Sequence, residues 1–279
     1  MSDLEQVVAA VTSSKKYRAV CVDTVRRIAE RELANRKNLK PAIKATKRRL
    51  HQVYGAFEQD LEYSTLYRQL ESAYGTGSEP EIKTACRDAL GLHISTRERL
   101  SILDRFYSAI FEVTGRPHSI LDLGCGLNPL SLPWMDPEVR FQYMPLDIDE
   151  ARIHFLNRVL SLTGRGPLAR CQDILVHPPD DVADVALLLK MSPTLERQEP
   201  GSTERLIGQL KAPIVVVSFA VRSLSGRDKR MRENYERHFL DLTENRGWPF
   251  ERLLFETELV FVLEKPPLVG GGTSRLAQP

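Results

Sequence analysis

Through the first hundred positions apolar residues recur at spacings of three and four, which predicts helices. Leu4, Val7, Val8 and Val11 mark the first. Val25, Ile28, Ala29 and Leu33 mark a second, with Asp23 or Thr24 placed to cap it. A third holds Pro41 in its first turn, runs through Ile43, Lys47, Leu50, His51 and Tyr54, and stops near Gly55. Helices over 63–74 and 80–92 flank the turn Gly75-Thr76-Gly77-Ser78, and Leu100, Leu103, Phe106, Tyr107, Ile110 and Phe111 give one more. No strand-like alternation precedes residue 118.

The pattern then changes. Short apolar runs at 119–123, 141–147, 169–172, 182–189 and 214–219 read as strands, with a helix over 150–162 among them. Two late runs, 250–256 and 259–264, read as a closing hairpin. Such alternation predicts a Rossmann-like α/β sheet covered on both faces. The expected organisation is an all-helical region over 1–105, an α/β domain over 106–265, and a Pro/Gly-rich tail over 266–279 that is disordered.

A composition of 42% hydrophobic and 27% charged residues suits a globular chain and gives no run long enough to span a membrane. The N-terminus lacks the form of a signal peptide. Cys21, Cys86, Cys125 and Cys171 are scattered, which argues against a disulfide framework or a metal site and for the cytoplasm. The net charge of +2 hides an asymmetry. Residues 15–49 carry Lys15, Lys16, Arg18, Arg26, Arg27, Arg31, Arg36, Lys37, Lys40, Lys44, Lys47, Arg48 and Arg49 against Asp23, Glu30 and Glu32. A polyanionic partner and a set of solvated helix faces both account for that cluster.

The sharpest motif is Leu121-Asp122-Leu123-Gly124-Cys125-Gly126-Leu127-Asn128-Pro129. A strand ending in Gly-x-Gly lets the backbone turn tightly and approach a ligand. Asn128 is placed to cap the next helix, with Pro129 in its first turn. The third glycine of a dinucleotide fingerprint is missing, so a nucleoside fits better than NAD. Asp122 orients the loop or accepts from an ammonium group of the ligand. Asp147, 25 residues beyond Asp122 at the end of the second strand, is placed for a ribose diol, with Asp149 as the alternative. Gln172 and Asp173, after the third strand, are placed for the base.

These motifs resemble those of the aminoglycoside-resistance 16S rRNA methyltransferases, which methylate N7 of guanine 1405. The resemblance runs from about residue 13 to 264. It is carried by Ser14-Lys15-Lys16-Tyr17-Arg18, His93-Ile94-Ser95-Thr96-Arg97-Glu98-Arg99, the glycine segment through Leu130, Leu188-Leu189-Lys190, Val217-Ser218-Phe219 and Arg222-Ser223-Leu224-Ser225-Gly226-Arg227. It implies a class I methyltransferase fold, S-adenosyl-L-methionine as cofactor, and a helical N-terminal region docking on the 30S subunit. It also implies that Arg99 pairs with the carboxylate of the cofactor's methionine. One departure stands out: the family's Ser-Phe-Pro is Ser218-Phe219-Ala220 here, which removes a φ constraint near the target base.

On this reading the target base is positioned by Phe219, as a stacking surface, and by Lys190. Arg222, Arg227, Lys229 and Arg230 hold RNA backbone beside the docking residues Lys15, Lys16, Arg48 and Arg49. His51 and His93 are structural, no metal takes part, and the chain works as a monomer. Competing readings are methylation of another rRNA nucleotide, a non-catalytic ribosome-binding relic, and a small-molecule methyltransferase.

Overall fold

A computed structural model describes residues 1–36, 38–55, 61–135, 141–166, 168–221, 226–244 and 246–266, with the backbone alone at 55, 226–232 and 244. Its first three helices are α1 (Asp3–Thr12), α2 (Val22–Ala34) and α3 (Leu39–Leu50), the last running on into one π-helical turn, His51–Gly55. Their apolar stripes meet in one cluster around Val7, Val11, Val25, Ala29, Ala42, Leu50 and Tyr54. Neither expected cap forms on α2. Its N-cap is Cys21, without a side-chain bond.

Helices α4 (Tyr63–Thr76), α5 (Glu79–Leu90), α6 (Ile94–Arg97) and α7 (Leu103–Thr114) follow before the first strand. Their buried side chains join the core of the sheet. Leu66, Leu70, Leu90, Phe106 and Ile110 pack in one cluster with Ile120, Tyr143, Val185, Leu187 and Val216. The expected boundary at residue 105 therefore does not coincide with a break in packing. The separate helical unit ends near residue 55, and α4, α5 and α7 cover one face of the sheet. The apolar period alone could not reveal this, since it marks which face of a helix is buried and not against what.

The strands are β1 (Ser119–Leu123), β2 (Gln142–Asp147), β3 (Arg170–Cys171), β4 (Val185–Leu189), β5 (Ile214–Ala220), β6 (Phe250–Leu254) and β7 (Glu258–Glu264). They form one sheet in the order β3-β2-β1-β4-β5-β7-β6, with β1 to β5 parallel and β7 antiparallel to both β5 and β6. Alternate residues point to opposite faces. Ile120, Val185 and Val216 face α4–α7 and α8 (Glu150–Leu162). Leu121, Ala186, Val217 and Phe261 face α9 (Ser192–Gln198), α10 (Ser202–Gln209) and α11 (Gly226–Glu244). The strand order reverses between β1 and β4, and in open α/β sheets such a reversal opens a crevice at the carboxyl ends of the strands. Beyond residue 266, the expected disordered tail lies outside the described residues.

Candidate functional site

That crevice has a volume of about 280 Å³. The end of each parallel strand contributes to its wall: Gly124 and Gly126 after β1, Asp147 and Ile148 from β2, Gln172 and Asp173 after β3, Leu189 and Lys190 from β4, and Ala220 from β5. Gly124 and Gly126 have φ of +64° and +53°, a region that disfavours any side chain. A Cβ on Gly124 would lie 2.5 Å from the Met191 sulfur, and one on Gly126 would lie 3.1 Å from His93 Cε1. Both expected glycines thus bring bare backbone to the pocket.

Asp147 lies at the rim of the pocket with its oxygens already held. Oδ2 accepts from Gly126 N at 2.8 Å, and Oδ1 from Arg152 Nη1 at 3.0 Å and Asp149 N at 3.1 Å. Asp149, the alternative, caps α8 through Arg152 N and accepts from Tyr54 Oη at 3.0 Å. Asp173 is fixed at both oxygens, by Leu175 N and by Arg27. Gln172 lines the wall while its amide donates to His177 O at 2.7 Å.

Asp122 is not on the wall. It is 1% exposed and accepts from Asn128 Nδ2 at 2.8 Å and from Tyr143 Oη. Of its two expected roles the structure supports the loop-orienting one. Burial raises its pKa to about 6, against the lowering effect of its bonds to Tyr143 and Asn128. Asn128 caps no α-helix. It opens a 3-10 segment, Asn128–Trp134, without a side-chain cap bond, and its amide links Asp122 to Arg99 and Tyr107.

Arg99 is not on the wall either. Its guanidinium is 97% buried behind the pocket, where it holds Glu258 through two bonds of 3.0 and 2.7 Å and donates to Asn128 at 2.8 Å. Burial opposes ionisation of Glu258, yet Arg99 and Lys190 hold its carboxyl below the usual range. Lys190 lines the pocket, but its ammonium is turned inward to Ser95 O at 2.8 Å, Glu98 at 3.0 Å and Glu258 at 3.4 Å. It is the one non-glycine with positive φ among the described residues, +60°, pinned by Ser218 accepting from its backbone N–H. Strain of this kind persists where the surroundings over-determine it.

Phe219 is also placed differently from the expectation. It is fully buried, stacked on Tyr235 at 4.9 Å and set edge-on to Phe261. Its position on β5 sends it into the core, and its stacking partner Tyr235 lines the pocket. Burial pushes His93 down to about 4, so its ring is neutral at pH 7, and it pairs with Ser95 Oγ at 2.9 Å.

Lys15, Lys16, Arg48 and Arg49 are exposed on the three-helix unit. Lys16 reaches His51 at 3.1 Å, which draws the loop after α1 to the end of α3. Arg26, Arg27 and Arg36 of the same basic cluster are engaged by Glu5, Asp173 and Glu32 instead. Arg222 lies outside the described residues, and Arg227, Lys229 and Arg230 lie on the first turns of α11, where only the backbone is described. Among the described residues no helix is long and apolar enough to cross a membrane.

Sequence reasoning missed Thr24, Arg27, Tyr54, Arg152, Tyr235 and Glu258. Arg152 had a signal, since it stands three residues after the capping Asp149 and one helical turn leads back to the strand end. Glu258 had another, as an acid adjoining the apolar run of β7.

The sequence model of a family described as ribosomal RNA methyltransferase (FmrO) matches residues 13–262. A 16S rRNA (guanine(1405)-N(7))-methyltransferase of Micromonospora echinospora is 40% identical over 94% of this chain and 97% of its own length. One of Serratia marcescens is 34% identical over 94% and 99%. Among solved structures, the 16S rRNA methyltransferase RmtF in complex with S-adenosyl-L-homocysteine has a TM-score of 0.79 at 32% identity, covering 95% of this chain and 99% of that one. The 16S rRNA methylase RmtB has a TM-score of 0.77 at 29% identity, covering 94% and 98%. With a glycine-lined crevice at the switch point and agreement along nearly its whole length, the chain belongs to the ribosomal RNA methyltransferase (FmrO) family.

Proposed function

We propose that the protein uses S-adenosyl-L-methionine to methylate N7 of guanine 1405 in 16S rRNA, acting on the assembled 30S subunit in the cytoplasm and so conferring aminoglycoside resistance. The observation that carries this reading is the crevice of bare glycine backbone at the switch point, in a chain whose relatives along most of its length are named for one reaction. The residues present fit the cofactor. Gly124 and Gly126 put backbone on the wall with no side chain of their own between it and a ligand. Ile148, Ile174, Leu189 and Leu195 offer an apolar slot for a purine, and Asp147 and Asp173 offer acceptors to its hydroxyl and amino donors. When bound, S-adenosyl-L-methionine supplies a methyl group carried on a sulfonium.

Guanine N7 has a free lone pair at neutral pH, so no side chain has to remove a proton and no general base is required. The work of the chain is orientation. A base taken out of an RNA stack needs a surface to receive it. Tyr235, backed by Phe219, supplies that surface beside Ala220. The missing proline is compensated by strand register: Ala220 pairs with Glu258, and Val221 N donates to Thr257 O at 2.9 Å, which fixes the backbone a proline would restrain. The exposed Lys15, Lys16, Arg48 and Arg49 dock on RNA phosphates, giving salt-dependent affinity.

Expression in a susceptible bacterium tests the reading. Borohydride–aniline cleavage of 16S rRNA, mapped by primer extension, gives a break at guanine 1405 together with resistance. An uncleaved guanine 1405 in well-expressed cells rules it out.

A further inference from the structure

One wall of the crevice does not come from the α/β domain. Thr24 and Arg27 of α2, with Val53 and Tyr54 of the π-helical turn, belong to the three-helix unit and line the pocket. Arg27 crosses to the α/β domain. Its Nε and Nη2 both donate to Asp173 Oδ2, at 3.1 and 2.9 Å, and Nη2 also donates to Gln198 Oε1 at 2.8 Å. Asp173 Oδ1 accepts from Leu175 N at 2.9 Å. The carboxylate is 2% exposed and is thus held at one oxygen by its own turn and at the other by a residue 146 positions away.

A buried carboxylate held only by its own turn is free to swing, and Arg27 removes that freedom, because a guanidinium bonded twice to one oxygen fixes its position. What remains at the pocket is a stationary acceptor. The 6-amino group of adenine donates to such an acceptor, and the 6-oxo group of hypoxanthine presents a second acceptor and is repelled.

We infer that Arg27 is a positioning residue for the nucleoside: it holds Asp173 as the acceptor that reads the 6-amino group, and so makes the N-terminal helical unit part of the cofactor site. This rests on the proposed reading of the crevice as the S-adenosyl-L-methionine site. Charge neutralisation on the docking face is not the role of this arginine, although it lies within the basic cluster.

Calorimetry on the full chain with S-adenosyl-L-homocysteine and with S-inosyl-L-homocysteine tests the inference. The unmodified protein binds the adenosyl ligand more tightly. Arg27→Met lowers adenosyl affinity at least about tenfold and inosyl affinity less than about threefold, so the preference shrinks. Arg27→Lys, which keeps the charge without the fork and spares the fold, lies between the two. An unchanged preference in Arg27→Lys together with adenosyl affinity within about twofold in a folded Arg27→Met overturns the inference alone. Equal weakening of both ligands also overturns it, because that leaves Arg27 as a wall and not as an aligner. Absence of binding by the unmodified protein removes the cofactor reading as well.

Discussion

Asp122 lies beneath the glycine loop and not on it, and its burial makes a pH signature. Its carboxyl is raised to about 6, whereas an unfolded chain holds an aspartate near 3.9. Between those values the folded state binds the proton more tightly, so this group makes stability fall as pH rises from about 4 to about 6. Asp122→Asn retains an acceptor for Asn128 and Tyr143 and removes the titration. Thermal melts of the variant should show a gain relative to the unmodified protein that grows across this window, on the order of 3 kcal/mol by pH 7; parallel pH profiles would refute the assignment. Glu258 behaves in the opposite way. It sits under Arg99, and Glu258→Gln leaves that guanidinium buried without its counter-charge. Breaking such a pair costs roughly 3–5 kcal/mol, visible in urea denaturation. Asp147→Ala frees Gly126 N–H and Arg152 together, and weakens S-adenosyl-L-homocysteine binding by about tenfold or more in calorimetry. At this scale the sequence located the strand-end acids and the glycines, because their roles follow from position after a strand. It misplaced Phe219, whose partner Tyr235 comes from another element, because no local pattern names a distant partner, and it gave Asn128 to a helix cap where its amide instead reaches back six residues to Asp122.

Among the elements, periodicity was a good guide. The helix expected over 150–162 is α8, Glu150–Leu162, and the strand over 119–123 is β1. The expected strand over 182–189 begins only at Val185, because Ala183 and Asp184 are turned by bonds to Lys211 O and Ser119. The segment after Asn128 forms a 3-10 turn and not an α-helix, with Pro133 inside it removing a donor. Cys21 and Cys171, far apart in sequence, meet where the loop before α2 follows the edge of β2. Cys21 N donates to Ile148 O while Cys171 pairs with Asp147, and the bond from the Cys171 thiol holds the Cys21 pKa down. The loop after α1 and helix α3 carry the docking prediction. Charge reversal at Lys15, Lys16, Arg48 and Arg49 should lower 30S affinity by tenfold or more and flatten its salt dependence, with S-adenosyl-L-homocysteine affinity unchanged. Filter binding at two salt concentrations measures both, and unaltered 30S affinity would dismiss the docking face.

As a whole, the molecule is a sheet with a helical layer on each face and a three-helix unit seated over its carboxyl edge. The sheet class and its seven strands were legible because βαβ connections leave a distinctive alternation, whereas helices α9, α10 and α11 were not anticipated. The boundary near residue 55 was not, since α4 to α7 look from their own spacing like the helices before them. The crevice joins these parts: cofactor atoms would touch the strand ends, and the three-helix unit closes the remaining wall. Incubation of purified protein and S-adenosyl-L-methionine with unmodified 30S subunits, followed by mass spectrometric mapping of 16S rRNA, tests this assembly most directly. The account predicts one added methyl group, at N7 of guanine 1405. Transfer to a different nucleotide, or no transfer by protein that binds S-adenosyl-L-homocysteine, would contradict it.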